Sequence, residues 1–301
     1  MLVAALGGNA LLRPGERPEA AVQRVRLRAA AAAISELTIR HDLVLTHGNG
    51  PQIGWLALQA EAGAPAGARP DPLDVLGAES EGLIGYLIEQ ELAPLVPGRE
   101  LATLLTQVEV DPDDPAFLNP SKPIGPLYEE ARARALARER GWAIAATRGG
   151  FRRVVASPEP RRIRELGAIR QLVGAGVIVI CAGGGGIPVV AGEGGAICGV
   201  EAVVDKDLCS ALLAAELGAD ALLLLTDVAA VYDDWPAPAE SPLRRATSAE
   251  LRARSFESGS MGPKVEAACR FVERTGRPAA IGALGEAARV LAGEAGTLVR
   301  A

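Results

Sequence analysis

The chain has 301 residues, is 49% hydrophobic and carries a net charge of −6 with a pI near 5.2, which argues against a nucleic-acid or membrane-surface partner, since neither is drawn to an acidic surface. That length supports one large α/β unit or two coupled lobes, and no apolar run approaches the eighteen or so residues that span a bilayer. Aromatic residues make up 3%, so the core has to be aliphatic, and the 31 basic residues include only three lysines, Lys122, Lys206 and Lys264.

In chain order, a first strand from Val3 to Leu6 runs into Gly7-Gly8-Asn9, with no charged segment of the kind that opens a signal peptide. After Pro18 the apolar set Val22, Val25, Ala29, Ala33, Ile34 and Leu37 recurs at helical spacing. A strand from Leu43 to Thr46 runs into His47-Gly48-Asn49-Gly50-Pro51, and Pro72 opens a helix toward Leu92. From about 111 to 160 the texture changes: Asp111-Pro112-Asp113-Asp114-Pro115 and Ser157-Pro158-Glu159-Pro160 border a polar segment, the signature of a small subdomain projecting from the main body. A strand from Val177 to Ala182 enters four consecutive glycines, Gly183 to Gly186. A helix from Leu208 to Leu217 closes at Gly218, and a strand from Ala221 to Leu225 meets Thr226-Asp227. A last helix runs from Pro263 to near Gly276. Strand, glycine break and helix in alternation predict a mostly parallel sheet covered on both faces. In such sheets ligands bind outside the carboxyl ends of the strands, so the four loops are expected to converge on one crevice.

Glycine after a buried strand lets the chain turn sharply and bares its amide hydrogens, and several such amides form a nest for anionic oxygen. No Gly-x-x-x-x-Gly-Lys-Ser/Thr or Gly-x-Gly-x-x-Gly pattern occurs, so any phosphate is held by other means. The lysines are the candidates, because a compact ammonium with three turning donors suits a cluster of transferring oxygens better than a planar guanidinium. Lys264 follows Pro263 at a predicted helix start, where dipole and ammonium both favour phosphate. Asp205-Lys206-Asp207 is either a helix cap with solvated charges or a carboxylate pair that orients the lysine or holds magnesium. Thr226-Asp227 is either a cap or a nucleotide contact. Asn9 and Asn49 either tolerate left-handed backbone or bind substrate oxygens. His47 reads as a structural loop residue, with no serine or cysteine nucleophile tied to it. Cys181, Cys198, Cys209 and Cys269 lack metal-type spacing and read as free core thiols of a reduced, cytoplasmic protein.

These motifs together resemble the carbamate kinases of the amino-acid kinase family, over nearly the whole chain. The resemblance is carried by Ala5-Leu6-Gly7-Gly8-Asn9-Ala10, His47-Gly48-Asn49-Gly50-Pro51-Gln52, Asn119-Pro120-Ser121-Lys122-Pro123-Ile124-Gly125-Pro126, Gly183 to Pro188, Ala202-Val203-Val204-Asp205-Lys206-Asp207 and Gly259-Ser260-Met261-Gly262-Pro263-Lys264-Val265-Glu266-Ala267-Ala268. It implies an open, mostly parallel eight-stranded sheet sandwiched by helices, with a protruding subdomain, in a homodimer. Residues 1–217 would form the acceptor lobe and 218–301 the nucleotide lobe. It also implies reversible, Mg²⁺-dependent phosphoryl transfer between ATP and carbamate, giving ADP and carbamoyl phosphate and often run toward ATP. Lys206 and Lys264 would hold the transferring group and the ATP phosphates, Asp207 would position those lysines, and Lys122 would reach in from the subdomain. Gly8, Asn9, Gly48, Asn49, Gly50, Gly183 and Gly184 would line the acceptor site; Thr226, Asp227, Tyr232, Ser260 and Met261 would lie near the nucleotide. No residue is singled out as a protein metal ligand. Arg148-Gly149-Gly150-Phe151 and Ala156 depart from the family pattern within the subdomain. The alternatives are a kinase of another small acid or phosphate and a nucleotide-binding regulator without turnover.

Overall fold

The computed structural model describes residues 1–8, 11, 12, 16, 19–63, 70–147, 149–232, 241–256 and 261–301. In order these give β1 (Leu2–Leu6), α1 (Ala20–Thr38), β2 (Leu43–His47), α2 (Gly50–Gly63), α3 (Leu73–Leu92), β3 (Leu101–Thr103), β4 (Gln107–Glu109), β5 (Lys122–Tyr128), α4 (Glu130–Arg140), β6 (Ala143–Thr147), β7 (Gly150–Val155), β8 (Arg162–Ile163), α5 (Leu166–Gly174) and β9 (Ile178–Ile180). There follow β10 (Ile187–Ala191), β11 (Ile197–Gly199), α6 (Lys206–Leu217), β12 (Ala221–Thr226), β13 (Val231–Tyr232), β14 (Pro242–Leu243), β15 (Arg245–Thr247), α7 (Ser248–Arg252), α8 (Met261–Thr275), β16 (Ala279–Ala283), α9 (Ala287–Leu291) and β17 (Thr297–Arg300).

Eight strands form the central sheet in the order β15-β17-β16-β12-β1-β2-β9-β3, all neighbours parallel but β16 and β17. Alternation along its strands divides the core into two layers. Val3, Ala5, Val44, Leu222 and Leu224 face α5, α6 and α8, whereas Leu2, Ala4, Leu6, Leu43, Leu45, Leu223 and Leu225 face α1, α3 and α9. Both faces are covered, which is why β1, β2 and β12 are near-continuous apolar runs.

Proline and glycine mark helix ends here. Pro72, extended at the N-cap position, marks the start of α3 without a side-chain capping bond, and α6 ends on the left-handed Gly218 at φ 72°. In α1 the buried stripe is Gln23, Leu27, Ala30, Ala31, Ile34 and Leu37, so the expected face is rotated: Val25 is exposed, and in a run of consecutive alanines the face is set by which of them meet the sheet together with Leu27, Ile34 and Leu37. Cys198 is likewise exposed, on β11, while the other three cysteines are buried.

Between the proline borders lies a sheet of its own. β5, β7 and β6 form a separate antiparallel sheet with α4 between β5 and β6 in sequence, spanning 122–155. On either side, β4 and β8 pair with each other in a second four-stranded sheet with β10 and β11, so those flanks belong to the body. Among the described residues no helix is long and apolar enough to cross a membrane.

Candidate active site

Because β12, β1, β2 and β9 are adjacent and parallel, their carboxyl ends open on one edge of the sheet. The glycines there are spacers between loops. A Cβ on Gly7 would come 3.1 Å from the Leu225 carbonyl oxygen, and one on Gly48 would come 2.8 Å from the Gly8 amide nitrogen. A Cβ on Gly183 would strike the His47 ring at 2.3 Å, and one on Gly184 would strike the Asn49 amide at 2.1 Å. Only glycine permits this packing, so the four loops touch in sequence from β12 to β9.

Asn49 is buried, and its Nδ2 donates to Ser80 Oγ at 2.8 Å, which in turn donates to the Gly77 carbonyl at 2.7 Å. The side chain is thus oriented by α3. His47 is also buried; desolvation lowers its pKa to about 4, the Gly48 carbonyl opposing and nearby Lys206 adding to the shift. The ring is therefore neutral near pH 7, consistent with a structural role.

Next to this edge lies the N-terminus of α6, where Asp205-Lys206-Asp207 does form a cap, but with its charges buried instead of solvated and its carboxylates turned to lysines. Asp205 caps the helix, its Oδ1 accepting the Asp207 amide at 2.9 Å and the Leu208 amide at 3.2 Å, so α6 begins two residues before the expected Leu208. The other oxygen of Asp205 accepts from Lys122 Nζ. Asp207 receives two ammoniums: Lys206 Nζ on Oδ1, and Lys264 Nζ from the first turn of α8 on Oδ2 at 3.0 Å. Burial alone would raise the Asp207 pKa, but the two lysines outweigh it and hold the carboxyl well below its usual range. Burial lowers the pKa of Lys206; for Lys264 burial is overcome by Asp207, Asp205 and Asp227, and the net direction is upward. All three lysines of a lysine-poor chain thus converge on two neighbouring carboxylates.

Lys122 arrives differently. It is the first residue of β5, which lies across α2 so closely that a Cβ on Gly54 would fall 2.0 Å from Gly125 Cα. Gly125 adopts φ 70°, and the Arg152 guanidinium donates to its carbonyl at 2.9 Å. At the other root of the projecting sheet, the Ala156 carbonyl accepts the Val203 amide at 2.9 Å, two residues before Asp205. Glu61 of α2 pairs with Arg140 and Arg153, and both guanidinium groups stand 5.1 Å from the Trp142 ring centre.

On the other side of the crevice, Thr226 ends β12 and its hydroxyl donates to Asp227 Oδ1 at 3.1 Å. Tyr232 is on β13, and Met261 packs against the core at the beginning of α8. Asn9 and Ser260 lie outside the described residues.

Sequence reading missed Ser80, Glu81 and Thr106. Glu81 is 1% exposed and its Oε2 accepts the Thr106 amide at 2.8 Å. A signal was present: Glu81 falls on the stripe Leu73, Leu76, Gly77, Ile84 and Ile88, where a carboxyl has no place in an ordinary apolar face.

Residues 1–283 match the model of the amino acid kinase family. The carbamate kinase of Rhizobium meliloti is 52% identical over 301 residues, covering 99% of this chain and 92% of that protein. That of Haemophilus influenzae is 50% identical over 299 residues, covering 99% and 96%. Among solved structures, carbamate kinase from Giardia lamblia bound to AMP-PNP superposes with a TM-score of 0.88 at 40% identity, covering 99% of this chain and 98% of that one.

Proposed function

Because the chain belongs to the amino acid kinase family, we propose that it is an ATP:carbamate phosphotransferase, interconverting ATP and carbamate with ADP and carbamoyl phosphate. The observation that carries the reading is the convergence of Lys122, Lys206 and Lys264 on Asp205 and Asp207 beside the glycine loops. Carbamate is already an anion, so its oxygen needs no general base. It attacks the γ-phosphorus in line, the bond from that phosphorus to the bridging oxygen breaks, and ADP leaves with the electron pair. What the protein supplies is approach and charge: two polyanions must be brought together and the equatorial oxygens of the transferring group neutralised.

Gly8, Asn9, Gly48, Asn49, Gly50, Gly183 and Gly184 hold the acceptor through backbone amides and the two asparagine side chains. Lys206 and Lys264 hold the transferring phosphoryl group and the nucleotide phosphates, and Asp207 fixes both ammoniums. Lys122 closes over the group from the projecting sheet. Thr226, Asp227, Tyr232, Ser260 and Met261 border the nucleotide. On this reading residues 1–217 serve the acceptor and 218–301 the nucleotide, in a cytoplasmic homodimer that works mainly toward ATP.

The nucleotide enters as its magnesium complex. Among the described residues no group of three His, Cys, Asp or Glu side chains is arranged to hold an ion. Asp205 and Asp207 are occupied by lysines, which does not suit a protein-held metal; magnesium would come with the nucleotide and would supply neutralisation of phosphate charge beside Lys206 and Lys264.

The test is ATP formation from ADP, Mg²⁺ and freshly made carbamoyl phosphate, with acetyl phosphate as a competing donor. Fast turnover with carbamoyl phosphate alone is expected. Preference for the other acyl phosphate would move the assignment to a different acceptor within the family.

A further inference from the structure

The glycine run after β9 needs outside support. Ala182 sits at φ 49°, the one positive φ of a non-glycine among the described residues, and Gly184, Gly185 and Gly186 follow at 66°, 100° and 83°. A left-handed alanine is disfavoured by its Cβ, so the segment would relax unless something fastened it.

The fastening converges on Thr106, a fully buried residue between β3 and β4. Its hydroxyl accepts the Ala182 amide at 2.9 Å and donates to the Leu104 carbonyl at 2.9 Å. Its carbonyl accepts the Ile187 amide at 2.8 Å, and its own amide donates to Glu81 Oε2 at 2.8 Å. Both ends of the glycine run are therefore tied to one residue, and that residue is tied to α3. Glu81 also walls the run directly, since a Cβ on Gly183 would come 3.0 Å from Glu81 Cγ. Burial pushes the pKa of this carboxyl well up, opposed by the backbone amides of Thr106 and Gly183.

We propose that Thr106 and Glu81 are positioning residues for the acceptor, a clamp that holds Ala182 to Ile187 in the shape that presents the Gly183 and Gly184 amides. The inference rests on the reading of Gly183 and Gly184 as acceptor contacts. The nucleotide side, built from β12 and α8, is not part of the clamp. Its loss should therefore act on the acceptor and spare ADP.

The full-length wild type, Thr106→Val, Thr106→Ser, Glu81→Leu and Gly184→Ala are assayed with ADP and carbamoyl phosphate, and ADP affinity is measured separately by calorimetry. Thr106→Val, which keeps the shape and deletes the hydroxyl, is expected to raise the KM for carbamoyl phosphate about tenfold, the cost of leaving a buried amide unpaired. Thr106→Ser should recover most of that loss, Glu81→Leu should move KM the same way, and the Kd for ADP should stay within about twofold in all three. An unchanged KM in Thr106→Val, an equal loss in Thr106→Ser, or parallel weakening of ADP would overturn the clamp. Should Thr106→Val not fold, Thr106→Ala carries the same expectation. Gly184→Ala separates the two levels: if it leaves KM unchanged, the acceptor reading itself fails, whereas a raised KM there beside a normal Thr106→Val sinks only the clamp.

Discussion

Two lysines of the site are built into the body and the third is brought to it. Lys206 and Lys264 have side chains 10% and 13% exposed and share Asp207, itself 5% exposed, so their ammoniums are fixed before any substrate arrives. Lys122 is 28% exposed, stands at the root of a separate three-stranded sheet seated on α2, and reaches from there to Asp205 at the start of α6. A permanently assembled charge cluster has paid its reorganisation in folding, whereas a charge on a projecting sheet depends on how that sheet is seated. Removing parts of the first region should cost stability and turnover together; disturbing the second should cost turnover alone.

The largest expected effect follows from Asp207→Ala, which leaves two buried ammoniums facing one another without a counter-ion. We expect a loss of about 3–5 kcal/mol in unfolding free energy together with loss of activity, read by denaturant melts and ATP formation. Lys122→Ala should reduce kcat by about 2 kcal/mol of transition-state stabilisation, roughly thirtyfold, and move stability by no more than about 1 kcal/mol because its pair is partly solvated. If Lys122→Ala melted like Asp207→Ala, the distinction between the two regions would be lost. Gly54→Ala tests the seat of β5 without touching a charge. Its new Cβ meets backbone at 2.0 Å, so β5 must shift and carry Lys122 with it, and kcat should fall about tenfold while ADP binding is kept.

A separate prediction, on stability alone, is a pH dependence from the body. His47 has its pKa lowered by burial to about 4, so between its ordinary 6.5 and about 4 the unfolded chain takes up a proton that the folded one refuses. Its contribution to stability is present above pH 6.5 and lost as pH falls through that window, by up to roughly 3 kcal/mol. Glu81, raised by burial, acts with the opposite sign, its contribution being lost as pH rises above the ordinary carboxyl range. Melting temperatures of wild type and His47→Gln between pH 7 and 4 should therefore diverge in favour of the variant as the pH drops; parallel curves would contradict the burial of a neutral imidazole.

Much of this arrangement is legible in the sequence because glycine and lysine are used for properties that no other residue supplies. Gly183 to Gly186 and Gly218 mark turns that need positive φ or close approach, and Lys122, Lys206 and Lys264 stand out against a background of arginine. The four strands of the crevice were readable for the same reason, each being an apolar run ended by glycine or a small polar residue. What escaped was set by tertiary packing. The face of α1 depends on which layer it meets, and α2 hides in a run of apolar and small residues with no strong stripe. The Thr106 clamp joins residues far apart in the chain through backbone amides, which leave no mark in side-chain composition. Glu81 was visible only as a carboxyl on an apolar stripe, a signal that acquires meaning once the helix face is known.

The most direct test of the fixed cluster is single-turnover ATP formation from ADP, Mg²⁺ and fresh carbamoyl phosphate by the wild type and by Lys206→Ala, with folding and ADP binding verified for both. A fall of about 2–4 kcal/mol in transition-state stabilisation, some thirtyfold to a thousandfold in rate, is the expected result; a folded Lys206→Ala protein that turns over at the wild-type rate would contradict the assignment of phosphoryl transfer to this site.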